Sequence, residues 1–276
     1  LNAAGAQIPS EALLADYDAR YQAARLAWKD KILADAKEVE NPFDAYAANP
    51  FALPQGRPVA AQDLKKAAAA LYVISRISGE GKDRRLEKGD YYLSDAEHAD
   101  LLALDRMGLP IVLLLNAGGP VELTALLEET SHIEAILQLS QLGQEGGHAV
   151  ADVLLGKATP EGKLTATWAR HYEDYPDAGR FGYLDGDLDK AVYSAGIYVG
   201  YRYYETAYAE ALAGNYDGFD YDSLVTYPFG YGLSYTTFDW EILSDNVATA
   251  AQDGEIVIEV QVTNTGDVAG KDVGQL

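Results

Sequence analysis

The sequence predicts an α/β fold in which helices cover both faces of a mostly parallel sheet. Three short apolar runs, each typical of a buried strand, alternate with helical patterns along the chain. These runs are residues 71–75, 111–115 and 133–139. The loops that follow them carry glycine or polar residues at Gly79, Asn116 and Gly143. Because parallel strands present ligands at their carboxyl ends, we expect these loops at one edge of the sheet, with a functional site among them.

The residues before the first strand predict a helical segment, a connecting loop and a short helix. Apolar residues recur at helical spacing over residues 8–39, behind a cap at Ser10. Asn41-Pro-Phe43 ends this helix, because proline disfavours helical angles in the residue before it. Proline and aromatic residues then indicate a loop as far as Pro58, and the alanine-rich residues 63–70 predict the short helix.

Helix signals also separate the predicted strands. Ser94-Asp-Ala-Glu97 is a capping box that opens a helix ending near residue 107. A helix over residues 120–129 begins with proline, which suits a first helical turn. A third helix is predicted over residues 148–155.

The chain changes character after this helix. Residues 171–235 are rich in tyrosine, glycine and aspartate and predict a long irregular region with short strands. Within it, the tyrosines of residues 196–205 alternate as in a strand, where they either pack with satisfied hydroxyl groups or form an aromatic wall against a sugar ring. Residues 254–265 alternate with period two, which predicts a half-buried antiparallel strand that begins an all-β domain.

Composition excludes several classes of protein. The 276 residues contain 43 acidic and 21 basic side chains, and the net charge of −22 disfavours nucleic acids and anionic membranes as partners. There is no cysteine, so disulfides and thiolate chemistry are excluded, and composition assigns no compartment. No apolar run is long enough for a membrane span. The chain begins at Leu1 and ends within a run of structured character, so we expect it to be a fragment.

Glu80 is the first candidate for chemistry. It lies between Gly79 and Gly81 directly after the first predicted strand. A single glutamate in a loop is ordinarily solvated, but one held at a sheet edge can be tuned to donate a proton near neutral pH. Of the charged residues that follow, Arg84 either positions the loop or contacts a substrate hydroxyl group.

Other site chemistries lack their motifs. Neither phosphate-binding glycine pattern occurs, so a nucleotide-binding α/β domain is disfavoured. The four histidines are scattered without metal-ligand spacing, and no G-x-S-x-G elbow is present. The sequence therefore predicts neither a metal nor a cofactor.

Five stretches in order resemble glycoside hydrolase family 3, the β-glucosidase family. They are Ile74-Ser-Arg-Ile-Ser-Gly-Glu-Gly-Lys-Asp-Arg84, Lys88-Gly-Asp-Tyr-Tyr-Leu-Ser-Asp95, Gly143-Gln-Glu-Gly-Gly-His-Ala-Val-Ala-Asp-Val-Leu154, Gly196-Ile-Tyr-Val-Gly-Tyr-Arg-Tyr-Tyr204 and Tyr227-Pro-Phe-Gly-Tyr-Gly-Leu-Ser-Tyr-Thr-Thr-Phe238. The resemblance covers about residues 71–276 and implies a three-layer α/β/α sandwich at 61–235 and the truncated start of a fibronectin type III-like domain at 236–276. Residues 1–60 match none of these motifs, and their own pattern predicts a helical lead-in segment and a loop.

The resemblance also implies a retaining β-glycosidase that hydrolyses terminal β-linked sugars, most simply β-glucosides. Glu80 matches the general acid/base of the subgroup with a Ser-Gly-Glu-Gly loop, whereas the nucleophile belongs to a (β/α)8 barrel domain that this chain lacks. Arg84, Tyr91 and Tyr92 are then the candidate substrate-binding residues. The expected partners are a carbohydrate and the barrel of the same parent chain, and the fragment alone should be inactive. The alternative is a non-catalytic carbohydrate-binding or structural module on the same scaffold.

Overall fold

The computed structural model describes residues 1–77, 84–181, 184, 186, 187, 189–250 and 254–275. The chain divides into two units, Leu1–Leu142 and Gly143–Leu276. The first unit contains α1 (Glu11–Asp35), α2 (Pro42–Ala48), β1 (Ala70–Ser75), α3 (Asp95–Arg106), β2 (Ile111–Asn116), α4 (Thr124–Glu129) and β3 (Ile133–Gln138). The second contains α5 (Gly146–Leu154), β4 (Trp168–Ala169), α6 (Tyr201–Leu212), α7 (Tyr221–Leu224), β5 (Val225–Tyr227), β6 (Phe238–Asp245) and β7 (Ile258–Asn264). The domain boundaries predicted after residues 60 and 235 stay a prediction.

Strands β1, β2 and β3 form a parallel sheet in that order, which confirms the α/β class predicted from the apolar runs. Ser75 at the end of β1 lies beside Asn116 of β2. Leu115 in turn lies beside Gln138, the last residue of β3. The carboxyl ends of the three strands therefore meet at one edge of the sheet.

The core of the first unit is built from β2, α3 and α4. Strand β2 is central, and its Leu113 and Leu115 are fully buried. Leu101 of α3 and Leu126 of α4 are buried as well, and α3 contacts both β1 and α4. Full burial of a leucine contributes about 1.5–3 kcal/mol, so this cluster anchors the sheet whose edge carries the candidate site.

The alanine-rich helix predicted over residues 63–70 is wrong. A 3₁₀ helix, Ala61–Leu64, is followed by Lys66 at a φ of 68°, which an α-helix cannot contain. Ala70 already belongs to β1, where it lies beside Ile111. Pairing with the central strand thus overrides the helical propensity of alanine, which is small for any one residue.

The segment that leads into β1 is held by an ion pair between Arg57 and Asp63. The two carboxylate oxygens of Asp63 accept from the Arg57 guanidinium at 2.8 and 2.6 Å, and one of them also accepts from the Ala60 backbone N–H at 3.0 Å. The hydrogen bonds from Arg57 lower the pKa of Asp63 to about 2.

This ion pair predicts how the stability of the first unit depends on pH. Because the pKa of Asp63 is lower in the folded chain, its contribution is fully present above the unfolded-state pKa of about 3.9 and is lost as the pH falls towards about 2. We expect Asp63→Asn to lower stability at neutral pH and to flatten its dependence on pH between those values. Acid unfolding followed by hydrogen exchange in β2 measures this, with Asp44→Asn on the exposed surface of α2 as the control. Equal acid sensitivity of both variants would contradict the prediction.

The predicted lead-in helix is confirmed as α1, but the loop behind it contains α2 as well. Asn41 caps α2 by accepting from the Phe43 N–H at 3.1 Å, and Pro42 occupies the first helical position. Trp28 of α1 packs edge-on against Phe51, with ring centroids 5.4 Å apart. Trp28 also donates its indole N–H to the Asn49 carbonyl at 2.7 Å. The aromatic residues of this loop therefore hold it against α1.

In the second unit, the strand predicted for residues 196–205 is wrong, because most of the tyrosine run lies in α6. This helix begins after Gly200, whose φ is 59°, and continues through alanine and glutamate, which favour helices. Tyr204 and Ala207, three residues apart, form its buried face. The period of two within the run was too short to outweigh the helical pattern that follows it.

The hydrogen bond of the Tyr204 hydroxyl group is expected to contribute measurably to the stability of this unit. Its ring is fully buried, and its hydroxyl group donates to the Asp174 carbonyl at 2.7 Å. We expect Tyr204→Phe to lower the free energy of unfolding by about 0.5–1.5 kcal/mol, because the carbonyl loses its donor. Tyr193→Phe, at a position that is 93% exposed, should have no effect. Denaturant unfolding followed by hydrogen exchange in α6 checks this, and equal stabilities would exclude the bond as a stabilising contact.

The predicted C-terminal strand is confirmed as β7, which pairs antiparallel with β6. Val262 of β7 remains 46% exposed, so the half-buried face predicted from its alternation is not covered by the described residues. The fibronectin type III-like identity of this region stays a prediction. Among the residues described, none of the helices combines the length and apolar character needed to cross a membrane.

Candidate active site

The candidate site lies at the carboxyl edge of the three-stranded sheet. Glu80 itself falls outside the described residues, as do all of residues 78–83. The structure does describe both flanks of this segment, which end at Ile77 on one side and begin at Arg84 on the other. The chemistry predicted for Glu80 therefore stays a prediction, and the described geometry is that of its surroundings.

Arg76 directly follows β1 and carries the most deeply buried charge at this edge. Its side chain is 4% exposed and forms a bidentate ion pair with Glu97 of α3, with N–O distances of 2.7 and 2.8 Å. Arg76 also donates to the carbonyl oxygens of Asp90, at 2.6 Å, and Tyr92, at 3.3 Å. A buried arginine is tolerated only where its donors are matched, and here one side chain joins the end of β1 to α3 and to the 90–92 turn.

Glu97 is shared between this ion pair and the start of α3. Its carboxylate accepts from the Ser94 N–H at 2.8 Å, while its own N–H donates to the Ser94 hydroxyl group at 3.2 Å. The capping box predicted at Ser94-Asp-Ala-Glu97 is therefore confirmed. Its carboxylate also neutralises Arg76, so the helix start is tied to the end of β1.

Arg84 is engaged on all sides by the chain itself. It donates to the Asp90 carboxylate, the Asp90 carbonyl and the Pro120 carbonyl, each at 2.6 Å. Its side chain is 19% exposed. These bonds support the first alternative for Arg84, a residue that positions the loop, whereas direct substrate contact stays a prediction.

Tyr91 and Tyr92 lie in the same turn but differ in exposure. The two rings meet edge to face, with centroids 5.2 Å apart. Tyr91 is 7% exposed, and its carbonyl accepts from the Glu122 N–H at 3.0 Å, so it belongs to the packed interior. Tyr92 is half-buried. Their predicted contacts with substrate stay predictions.

The ends of the other strands approach the same edge through amide side chains. Asn116 donates to the Ser75 hydroxyl group at 3.3 Å, and Gln138 donates to the Ala117 carbonyl at 2.8 Å. Gly119 lies close to Arg84, because a Cβ built there would be 3.8 Å from the guanidinium. The loop after β2 is therefore part of a frame that holds Arg84, the first described residue after this segment.

Tyr72 lies in the middle of β1, ahead of the residues at the carboxyl edge. Burial, reinforced by the neighbouring Asp100 and Glu97 carboxylates, raises the pKa of the Tyr72 phenol. Its hydroxyl group donates to the Asp100 carboxylate at 3.4 Å. The described residues contain no group of three or more His, Asp or Glu side chains placed to hold a metal ion.

The second unit contains an aromatic groove on α6. The groove has a volume of about 770 Å³, and Tyr201 within it stacks on Phe229 at 4.3 Å between ring centroids. Tyr221 donates to Glu205 at 2.7 Å. The tyrosine run thus does contribute aromatic rings to a concave surface, as its second interpretation requires, although from a helix. A contact with sugar there stays a hypothesis.

The sequence did not predict that three residues organise the site, namely Arg76, Asp90 and Glu97. An arginine within the apolar run Val73-Ile-Ser-Arg-Ile77 was the available signal, since a charge in a buried strand end needs a partner. The identity of that partner, 21 residues away, was not encoded in any local pattern.

These features define an α/β domain whose polar site lies at the carboxyl edge of a parallel sheet. Comparison with family models matches residues 6–201 to the glycosyl hydrolase family 3 C-terminal domain. The chain belongs to glycoside hydrolase family 3, which confirms the resemblance found in its motifs. The match begins well before Ile74, so it includes the lead-in segment that the motifs left unassigned.

Relatives that match about three quarters of this chain are named β-glucosidases. β-Glucosidase A of Butyrivibrio fibrisolvens is 37% identical over 243 residues, covering 76% of this chain and 28% of the relative. A β-glucosidase of Ruminococcus albus is 36% identical over 207 residues, covering 75% of this chain and 19% of the relative. Among solved structures, β-glucosidase 3B from Thermotoga neapolitana in complex with glucose has a TM-score of 0.64 at 36% identity, covering 85% of this chain and 31% of that one. The chain therefore spans less than a third of the length of these relatives.

Proposed function

We propose that this chain is part of a retaining β-glycosidase that hydrolyses terminal β-linked sugars, with β-glucosides as the first substrates to test. Membership of family 3 and the similarity to proteins named β-glucosidases support this substrate class. The observation that carries the proposal is the arrangement of the described residues on either side of Glu80 in the sequence: Arg76 and Arg84 are both bonded to Asp90 at the polar carboxyl edge of the sheet.

Glu80 is the general acid/base in this mechanism. Its carboxyl group protonates the glycosidic oxygen as the bond to the anomeric carbon breaks, and a carboxylate nucleophile attacks that carbon from the opposite face. Glu80 then takes a proton from the water that releases the sugar. The acidic proton is thus given once and recovered once in each turnover.

The nucleophile is contributed by a barrel domain of the same parent chain. Retaining enzymes hold their two carboxyl groups about 5–5.5 Å apart, so the barrel must present its carboxylate next to the sheet edge described above. The 276-residue chain without this partner is therefore expected to be inactive.

Substrate contacts on this side of the site belong to the leaving group. Tyr92, which is half-buried and whose carbonyl accepts from Arg76, is the better placed of the two predicted tyrosines, because Tyr91 is only 7% exposed. Arg84 acts by holding the frame, since its guanidinium is already bonded to three oxygen atoms of the chain.

Substitution of Glu80 by Gln in the full-length protein tests this function. The substitution removes the acidic proton while keeping the size of the side chain. We expect a loss that grows with the basicity of the leaving group, and equal rates for wild type and variant would reject the assignment.

A further inference from the structure

We propose that Asp90 is a positioning residue of the site, because among the described residues it is bonded to both flanks of the segment containing Glu80. The inference rests on the proposed function of Glu80 for its consequence, but its structural basis is independent of that function. Arg76, the last residue but one before this segment, and Arg84, the first after it, are both bonded to Asp90.

The contacts to Asp90 use all three of its oxygen atoms. Its backbone carbonyl accepts from Arg76 Nε and from Arg84 Nη2, each at 2.6 Å. Its Oδ1 accepts from Arg84 Nε at 2.6 Å, and its Oδ2 accepts from the Arg85 backbone N–H at 2.8 Å. Two side chains and one backbone amide, drawn from the two sides of residues 78–83, therefore converge on a single residue.

Asp90 is itself fixed in place by the turn that carries it. Gly89 has a φ of 87°, a conformation that glycine adopts without strain, and its N–H donates to the Tyr92 carbonyl at 2.9 Å. The Asp90 N–H donates to the Glu87 carbonyl at 3.1 Å. A residue held by its own turn can serve as a fixed point for two flanking arginines.

The two arginines connect this point to the rest of the sheet. Arg76 is paired with Glu97 of α3, and Arg84 donates to Pro120 in the loop after β2. The pair of Arg84 and Asp90 is charge-assisted and partly buried, with side chains 19% and 30% exposed, so it is screened less than a pair on the surface. The two flanks of the Glu80 segment are therefore attached through these arginines to α3 and to the loop after β2.

Such a frame has a direct consequence for proton transfer. A catalytic group displaced by about 1 Å can lose about 100-fold in rate. Asp90 does not touch the substrate in this proposal and acts only through the position that it imposes on Glu80. Its loss should consequently impair the step that needs the acid more than the steps that do not.

Asp90→Asn in the full-length protein tests the inference. The amide keeps the shape of the side chain but can no longer accept from both Arg84 Nε and the Arg85 N–H. The backbone carbonyl still accepts from Arg76, so the variant loosens the Arg84 flank and leaves the Arg76 flank in place. We expect kcat/KM to fall about 10- to 100-fold for an alkyl β-glucoside, with a much smaller loss for a dinitrophenyl β-glucoside. The Arg85 amide should also exchange its hydrogen faster, whereas the amides of β2 should not.

Asp95→Asn is the matched control. It makes the same change of charge five residues away, on a side chain that is 84% exposed and paired with Lys88. This variant should retain wild-type rates, leaving-group dependence and exchange. If Asp90→Asn behaves like Asp95→Asn, or if it lowers the rates for both glucosides by the same factor, the positioning role is overturned.

The fate of the proposed function is decided separately by Glu80→Gln in the same assays. If Glu80→Gln shows no dependence on the leaving group, the acid/base assignment fails whatever Asp90 does. If Glu80→Gln shows that dependence and Asp90→Asn does not, only the role of Asp90 fails.

Discussion

Glu80→Gln in the full-length protein is expected to lower kcat/KM for an alkyl β-glucoside by about 10²- to 10⁴-fold, the range that general acid catalysis contributes. An alkoxide is a poor leaving group and needs the proton that Glu80 supplies. A dinitrophenolate leaves without a proton, so its release from the variant should be nearly as fast as from the wild type. Parallel assays with the two glucosides measure the ratio of the losses.

Glu87→Gln is the matched control for this prediction. Glu87 lies close in sequence, its side chain is 63% exposed, and its distance to Arg85 is 3.5 Å. The substitution removes one negative charge from the same region without removing the proposed acid. A loss of the same size and selectivity in both variants would show that charge near the site, and not the proton of Glu80, accounts for the effect.

Arg76→Met is expected to produce the largest loss of stability in the first unit. Breaking a buried ion pair costs about 3–5 kcal/mol, because the remaining charge stays desolvated. The remaining charge here is Glu97, whose side chain is 18% exposed. Methionine fills much of the volume of the arginine stem, so the loss reports chiefly on the unpaired charge and on the carbonyl groups of Ser75, Asp90 and Tyr92, which lose their donor. Denaturant unfolding, monitored by hydrogen exchange of the β2 amides, measures this loss of stability.

Arg85→Met and the double variant Arg76→Met/Glu97→Gln complete this experiment. The Arg85 side chain is 68% exposed, so its removal should change stability by less than about 0.5 kcal/mol. The double variant removes the stranded charge while Gln can still cap α3, and it should recover part of the loss. A loss for Arg76→Met no larger than that for Arg85→Met would contradict the organising role of Arg76.

The parts of the fold that could be predicted are those that local patterns determine. The apolar run Ile111-Val-Leu-Leu-Leu115 became the central strand, because a strand covered on both faces needs continuous apolar residues. The capping box at Ser94 predicted the start of α3, because both of its hydrogen bonds lie within one turn. The shared edge of the strand ends followed from the parallel connection alone.

The parts that could not be predicted depend on partners distant in sequence. The alanines of residues 67–70 favour a helix by themselves, but Ala70 belongs to β1, where it pairs with Ile111. The tyrosines of α6 alternate over too few residues for the alternation to determine the structure. Burial of Tyr204 and Ala207 on one face favours the helix instead. Propensity is a weak guide wherever tertiary contacts compete with it.

The candidate site divides in the same way. Glu80 could be singled out because a carboxylate between two glycines after a buried strand is unusual, and the family resemblance then supplied its role. The frame around it could not, because Asp90 reaches Arg76 across 14 residues and Arg84 reaches Pro120 across 36. Arginine is usually a surface residue, so the sequence alone does not distinguish Arg76 and Arg84 from exposed arginines. Only their burial in the structure shows that they organise the site.

The most direct test of the central claim is the product that Glu80→Ala of the full-length protein forms from a dinitrophenyl β-glucoside in the presence of azide. Azide needs no general base, so it should enter the space left by the side chain, attack the glycosyl-enzyme and restore turnover. Two displacements at the anomeric carbon conserve its configuration, and NMR should therefore detect the β-glycosyl azide. Turnover that azide leaves unchanged, or a glycosyl azide of inverted configuration, would contradict the assignment of Glu80 as the acid/base of a retaining glycosidase.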